Sequence, residues 1–226
     1  MTDVEALYPF LYANAARAGG TSGTADLDAV LAQVTASTVA KAREIIELRR
    51  QVLAADGDRI ARCAAEMAER FAAGGRLLSF GNGGSSTDAQ EVAGLFLSPG
   101  GGLRPLPAFC LTNDIAVVTA LSNDIGFDVV FARQLAALSR PGDIALGLST
   151  SGNSANLLAA FDEAGRRGLL TVGIAGYGGG RMAELDTIDH LFTVASASVH
   201  RVQEAQTTVY HVLWELVLDQ LRGDDQ

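Results

Sequence analysis

Short apolar runs alternate with helix-like stretches along most of this chain, and this alternation limits the possible folds most strongly. The runs lie at 76–80, 108–111, 143–148, 169–175 and 190–194, and each is bounded by Gly, Asn or Ser. Buried strands separated by helices are typical of a parallel sheet whose crossovers cover both of its faces. The sequence therefore predicts an α/β fold, a three-layer sandwich around a five-stranded parallel sheet.

A long helical pattern precedes the first strand, with apolar residues at helical spacing from Leu27 to about Ala73. Gly57 interrupts this pattern, so we expect two long helices, the second beginning at about Arg59. Their broad apolar faces favour packing between subunits. We assign residues 1–26 to an N-terminal extension and residues 27–226 to one domain, which also contains an amphipathic last helix over about 199–221.

The composition restricts the classes of partner. A net charge of -9 is unfavourable for a nucleic-acid surface, which needs clustered Lys and Arg. No basic segment precedes an apolar run, and no apolar segment is long enough to span a bilayer. We therefore expect a cytoplasmic protein that binds neither nucleic acid nor membrane, and in which helix N-termini supply any positive potential for an anion.

Two loops follow predicted strands and carry the main functional signal. The first is Gly81-Asn82-Gly83-Gly84-Ser85, whose glycines allow the backbone to approach a ligand closely. The second is Ser149-Thr150-Ser151-Gly152-Asn153-Ser154, directly before a predicted helix. Because ligands collect at the carboxyl ends of parallel strands, these hydroxyls and a helix N-terminus form a phosphate site without any Lys or Arg.

The two loops, Asn123-Asp124 and Arg201-Val202-Gln203-Glu204 together resemble the phosphoheptose isomerase family of sugar isomerase (SIS) domains, over about residues 27–221. The resemblance implies a homotetramer that isomerises sedoheptulose 7-phosphate. It implies that five hydroxyl side chains hold the substrate, chiefly its phosphate: Ser85, Ser149, Thr150, Ser151 and Ser154. It also implies contacts with the sugar from Asn82, Asn113, Asp114 and Gln203.

The family's zinc ligands and proton-transfer residues are matched only in part. The resemblance implies a zinc ion held by His, Glu, Gln and His, and proton transfer by a glutamate and a histidine. Gln203 and His211 match the last two ligands, within about 80° of each other around the last helix. Glu91 occupies the position of the family's first histidine, and Leu95 occupies the position of its glutamate.

Two neighbouring positions also differ from the family, with Pro99 in place of an arginine and His200 in place of an aspartate. Glu91, Gln203 and His211, together with His200, could still bind one zinc ion per site, since carboxylate and imidazole are good zinc ligands. No other cofactor is expected.

Two functions from different classes fit these residues. The first is an aldose–ketose isomerase, in which Glu91 or His211 acts as the base and a metal or Gln203 polarises the carbonyl. The second is a non-catalytic SIS protein that senses a phosphosugar or acts as an assembly scaffold. The phosphate loops fit both functions. Gln203 and His211 favour the isomerase, whereas the altered acid–base positions, Glu91 and Leu95, favour the non-catalytic protein.

Overall fold

The computed structural model describes residues 23–100 and 102–224, so most of the predicted N-terminal extension, residues 1–22, lies outside the described residues. The described residues contain five strands: β1 (Leu77–Gly81), β2 (Ala108–Cys110), β3 (Ile144–Ser149), β4 (Leu170–Gly176) and β5 (His190–Val194). They pair in parallel in the order β2-β1-β3-β4-β5. The predicted five-stranded parallel sheet is confirmed.

The same ranges contain six α-helices: α1 (Gly23–Ala72), α2 (Gly84–Leu97), α3 (Ile115–Asp124), α4 (Val130–Leu138), α5 (Ala155–Arg166) and α6 (Val199–Asp224). Two short 3-10 helices lie at Phe127–Val129 and Gly180–Glu184. None of the helices in the described ranges combines the length and hydropathy needed to cross a membrane.

Alternating strand residues build two cores, one on each face of the sheet. Leu77 and Leu146 pack with buried side chains of α1, α2 and α6. Leu78 and Ala145, their neighbours in the chain, point to the other face and pack with α4 and α5. The predicted three-layer sandwich is therefore confirmed, and residues 44–226 form the compact unit that carries the sheet.

The prediction of two long helices before the first strand is wrong, because α1 is one continuous helix through Gly57. A glycine inside a helix costs only about 0.5–1 kcal/mol relative to alanine. Val52 and Ile60 are both buried on either side of Gly57. Packing before and after the glycine therefore outweighs its low helix propensity.

Replacing Gly57 by alanine tests this continuity. We expect Gly57→Ala to raise the free energy of unfolding by about 0.5–1 kcal/mol, because the new methyl group would meet only Leu53 Cδ1, at an ordinary 3.4 Å. Urea unfolding of the purified protein measures the change. Gly147→Ala is the control and should destabilise, since its methyl group would lie 2.6 Å from both Phe80 and Phe161. A destabilised Gly57→Ala would indicate that the helix does break there.

Candidate functional site

The two predicted ligand loops lie side by side because their strands are neighbours. β1 pairs with β3 along its whole length, and the last pair in register is Gly81 with Leu148. β2 lies on the far side of β1, and β4 lies on the far side of β3, so the strand order reverses between the two. Crevices at such reversals are where open α/β sheets bind their ligands.

A reciprocal amide pair joins the two loops. Asn82 Nδ2 donates to Asn156 Oδ1 at 2.9 Å, and Asn156 Nδ2 donates to Asn82 Oδ1 at 2.9 Å. Asn156 is buried in the first turn of α5. The Asn82 side chain therefore connects the loop after β1 to the helix after β3; its predicted contact with a sugar stays a prediction.

Hydroxyl groups and a glycine shape the loop after β3. Ser149 Oγ accepts a hydrogen bond from the Gly152 N–H at 3.0 Å, and Ser151 Oγ accepts one from the Asn153 N–H at 3.2 Å. Gly152 has a φ of 67°, and a Cβ there would lie 1.9 Å from the carbonyl oxygen of Gly179. Only glycine fits this position, because the loop packs closely against the backbone of Gly179.

The loop leads into the N-terminus of α5 and leaves that helix end available to an anion. Ser154 is the N-cap residue, yet its side chain makes no capping hydrogen bond. The first backbone N–H groups of a helix have no partner within the helix and carry its positive dipole. Ser154 and these N–H groups can therefore bind a phosphate oxygen. The hydroxyl residue Thr150 belongs to the same loop.

The loop after β1 also leads into the N-terminus of a helix, α2. α2 begins at Gly84 behind Gly83, whose φ is 56°, and no side chain caps it. Ser85 and Asp88 lie inside this helix and do not cap it. Ser85 is buried, and a Cβ on Gly81 would lie 2.4 Å from the Ser85 carbonyl oxygen. The loop is thus packed as closely as backbone atoms allow.

The first turns of α6 pack against both loops. A Cβ on Gly84 would lie 2.2 Å from Gln203 Nε2, so the Gln203 amide occupies the space that a side chain at 84 would need. One turn further on, buried Gln206 Nε2 donates to the carbonyl oxygens of Ser149 and Ile174, each at 3.2 Å. Burial raises the pKa of the nearby Asp88 carboxyl; Gln203 opposes this rise and Glu91 adds to it.

Further along the same two helices, Glu91 of α2 faces His211 of α6. Glu91 Oε1 lies 3.6 Å from His211 Nε2. The other ring nitrogen, Nδ1, is 2.8 Å from the Thr207 carbonyl oxygen, which can only accept, so Nδ1 carries a hydrogen. Glu91 Oε2 accepts a hydrogen bond from the Tyr210 hydroxyl at 2.7 Å. The structure thus brings the two predicted catalytic residues together.

Other predicted positions take different places. Asp114 caps α3, its Oδ1 accepting from the N–H groups of Ala116 and Val117 at 3.1 Å each. Asn113 is exposed just before this cap, in the segment after β2. His200 is exposed in the first turn of α6 and makes no side-chain hydrogen bond within the described ranges. Sugar contacts by Asn113 and Asp114 stay predictions.

The predicted zinc ligands fall short of a complete set. Glu91 Oε1 and His211 Nε2 face each other, but the Gln203 amide lies against Gly84. Leu95, one turn beyond Glu91, is apolar and packs on the core. Within the described part of the chain no three His, Cys, Asp or Glu side chains are grouped so as to hold a metal ion. Catalytic zinc usually has three such ligands, and these residues do not fit that requirement.

Sequence reasoning missed two residues of this site, Asn156 and Tyr210. Tyr210 lies seven residues after Gln203, on the same stripe of α6 as Thr207. The polar side chains at this helical spacing on α6 were the available signal. Asn156 follows directly after the serine loop, where a polar residue is easily taken for helix surface. Its burial depends on contacts that only the fold defines.

Replacing Gly152 tests the geometry of the second loop. Gly152→Ala would force a Cβ against Gly179 at a positive φ, where the strain is about 1–3 kcal/mol, so we expect the affinity for a ketose phosphate to fall at least about 10-fold. Isothermal titration calorimetry measures it. Gly178→Ala is the matched control, because a methyl group there would meet nothing within 4 Å. Unchanged affinity of Gly152→Ala would contradict this account of the loop.

Known proteins are similar to this chain in sequence and in fold. The family model "SIS domain" matches residues 42–176. A phosphoheptose isomerase of Roseiflexus sp. (strain RS-1) is 43% identical over 173 residues, covering 76% of this chain and 87% of the relative. That of Desulfovibrio desulfuricans is 45% identical over 178 residues, covering 78% of this chain and 84% of the relative.

Solved structures agree. A phosphoheptose isomerase from Neisseria gonorrhoeae superposes with a TM-score of 0.73 at 33% identity, covering 81% of this chain and 98% of that one. One from Francisella tularensis gives a TM-score of 0.75 at 30% identity, covering 84% and 98%. The resemblance seen in the two loops is confirmed over most of the chain, and the chain belongs to the phosphoheptose isomerase family of SIS-domain proteins.

Proposed function

We propose that this protein is an aldose–ketose isomerase of a sugar phosphate, with sedoheptulose 7-phosphate as the first candidate substrate. The observation that carries the proposal is the pairing of Glu91 Oε1 with His211 Nε2 at 3.6 Å. Glu91 lies on α2, which also carries Ser85, and His211 lies on α6, whose first turns pack against both loops. The names of the relatives, all phosphoheptose isomerases, support the substrate class.

In this proposal the hydroxyl groups of the two loops bind the phosphate. Glu91 of α2 and His211 of α6 act on the reacting carbons. Ser85 and the loop after β3 bind the phosphate together with the N-terminus of α5: Ser149, Thr150, Ser151 and Ser154. Glu91 lies about 9 Å further along α2 than Ser85, at 1.5 Å per residue. An open-chain sugar with a terminal phosphate would extend from the loops towards Glu91, past Asn82, Asn113 and Asp114.

Glu91 and His211 would carry out the proton transfers. The Glu91 carboxylate takes the proton from C1 of the ketose, while protonated His211 donates from Nε2 to the carbonyl oxygen at C2, and an enediol forms. The reverse transfers complete the isomerisation: His211 removes the proton from the oxygen on C1, and Glu91 delivers its proton to C2. The Nδ1–H bond to Thr207 keeps Nε2 facing the site.

We leave zinc out of these steps, because Glu91 and His211 are two donors where a catalytic zinc site usually has three, and Gln203 lies against Gly84. The zinc ion expected from the family resemblance stays a prediction.

Substitution of the acid–base pair tests the function. We expect Glu91→Gln and His211→Ala each to lower kcat on sedoheptulose 7-phosphate by at least about 100-fold, because each removes one partner of the proton transfer. Glu215→Gln, which removes an exposed carboxylate one turn after His211 on α6, should leave kcat unchanged.

Metal analysis of the same preparations decides the role of zinc. Turnover with less than stoichiometric zinc would support the metal-free steps. Binding of the sugar phosphate without turnover, with zinc added or removed, would contradict the isomerase and leave the alternative, a sensor or scaffold.

We further propose that the protein is a homotetramer and acts in the cytoplasm. Apolar side chains along α1 support association of copies, since Leu31 and Val34 are 54% and 56% exposed in the single chain. Further along α1, an apolar groove against α6 includes Ile46, Leu53 and Val212. The cytoplasmic location is tested by fractionating cells that express the protein.

Charged residues placed among the exposed apolar side chains of α1 test the proposed homotetramer. Leu31→Glu combined with Val34→Glu should convert a tetramer into smaller species in light scattering coupled to size-exclusion chromatography, because an interface cannot bury unpaired carboxylates. Ala32→Glu combined with Ala36→Glu adds the same charge on the other side of the helix and should leave the tetramer intact. A protein that is monomeric without substitutions would contradict the proposal.

A further inference from the structure

Tyr210 joins the buried core to the exposed Glu91. Its side chain is 1% exposed and packs in the core formed by α1, α2 and α6. Its hydroxyl donates to Glu91 Oε2 at 2.7 Å, and its ring stacks on His211, with the two ring centroids 5.0 Å apart. Thr207 Oγ1 lies 3.4 Å from the same hydroxyl. The phenol is therefore a rigid anchor placed between two helices.

Glu91 needs such an anchor. Its side chain is 47% exposed, and a free glutamate on a helix surface samples many rotamers, at an entropy of about 1.5–2 kcal/mol. The bond to Tyr210 occupies Oε2 and leaves Oε1 facing His211. A general base must be held within reach of the atom that it deprotonates, and a displacement of about 1 Å can cost about 100-fold in rate.

We propose that Tyr210 is the positioning residue of this site, which holds the Glu91 carboxylate in the orientation that faces His211. This inference rests on the proposed isomerase function. It explains how Glu91 can serve as the base, a role that the apolar Leu95 cannot take. Burial, together with the nearby Asp88 and Glu91 carboxylates, raises the pKa of the Tyr210 hydroxyl far above its ordinary value. The group therefore stays a neutral donor near neutral pH.

Tyr210→Phe tests the role of the hydroxyl and keeps the buried ring. We expect kcat to fall about 10- to 100-fold, the worth of a hydrogen bond to a charged group, with KM changed less than about 2-fold and the melting temperature nearly unchanged. Tyr177→Phe removes a hydroxyl that donates to the Ala197 carbonyl oxygen at 3.3 Å, and should not change kcat. An unchanged kcat in Tyr210→Phe would overturn the inference while the isomerase proposal stands.

A double-mutant cycle separates positioning from packing. In the Glu91→Gln background, Tyr210→Phe should cause little further loss of kcat, because the residue acts through the carboxylate. Full additivity of the two losses would show that Tyr210 acts independently of Glu91 and would overturn the inference.

Crystal structures supply a readout that does not need turnover, in case the isomerase proposal itself fails. The distance from Glu91 Oε1 to His211 Nε2 should stay near 3.6 Å in the unsubstituted protein and lengthen in Tyr210→Phe. An unmoved Glu91 in the variant would overturn the inference.

Discussion

The pairing of β1 with β3 is the constraint on which the rest of the site depends. Both strands are buried along their whole length, and their parallel register ends with Gly81 beside Leu148. The glycine loop and the serine loop therefore leave the sheet at adjacent points, and the Asn82–Asn156 pair joins them. Buried strands of this kind tolerate no slip, because a shift of one residue would exchange the side chains of the two cores.

From this arrangement follows the proposed phosphate site, whose two loops contain neither Lys nor Arg. The protein carries a net charge of -9, and the loops present hydroxyls, backbone N–H groups and the N-terminus of α5. Glycines make such close backbone packing possible: neither Gly81 nor Gly152 has room for a Cβ. α6 completes the frame, with Gln203 against the first loop and Gln206 against the second. In the proposed function these dipoles would meet the negative charge of the phosphate.

Much of this could be predicted from the sequence, because the strands and both loops are local patterns: apolar runs that end in Gly, Asn or Ser. The break expected at Gly57 was wrong, since local propensity is weaker than packing on both sides of the glycine. Tyr210 was missed for a related reason. Its partner Glu91 is 119 residues away in the chain, so the contact depends on how α2 and α6 pack together. Resemblance identified the positions of Glu91 and His211, but only the structure shows that they face each other.

Glu91 and Leu95 stand where the family has a histidine and a glutamate, so the reaction of this protein has to be tested directly. Incubation of the purified protein with sedoheptulose 7-phosphate in D₂O, followed by NMR, tests the central claim most directly. We expect conversion to an aldose phosphate that carries solvent deuterium at C2, because the proton that Glu91 takes from C1 exchanges with D₂O before Glu91 delivers it to C2. Saturable binding of the sugar phosphate with neither conversion nor deuterium exchange would contradict it.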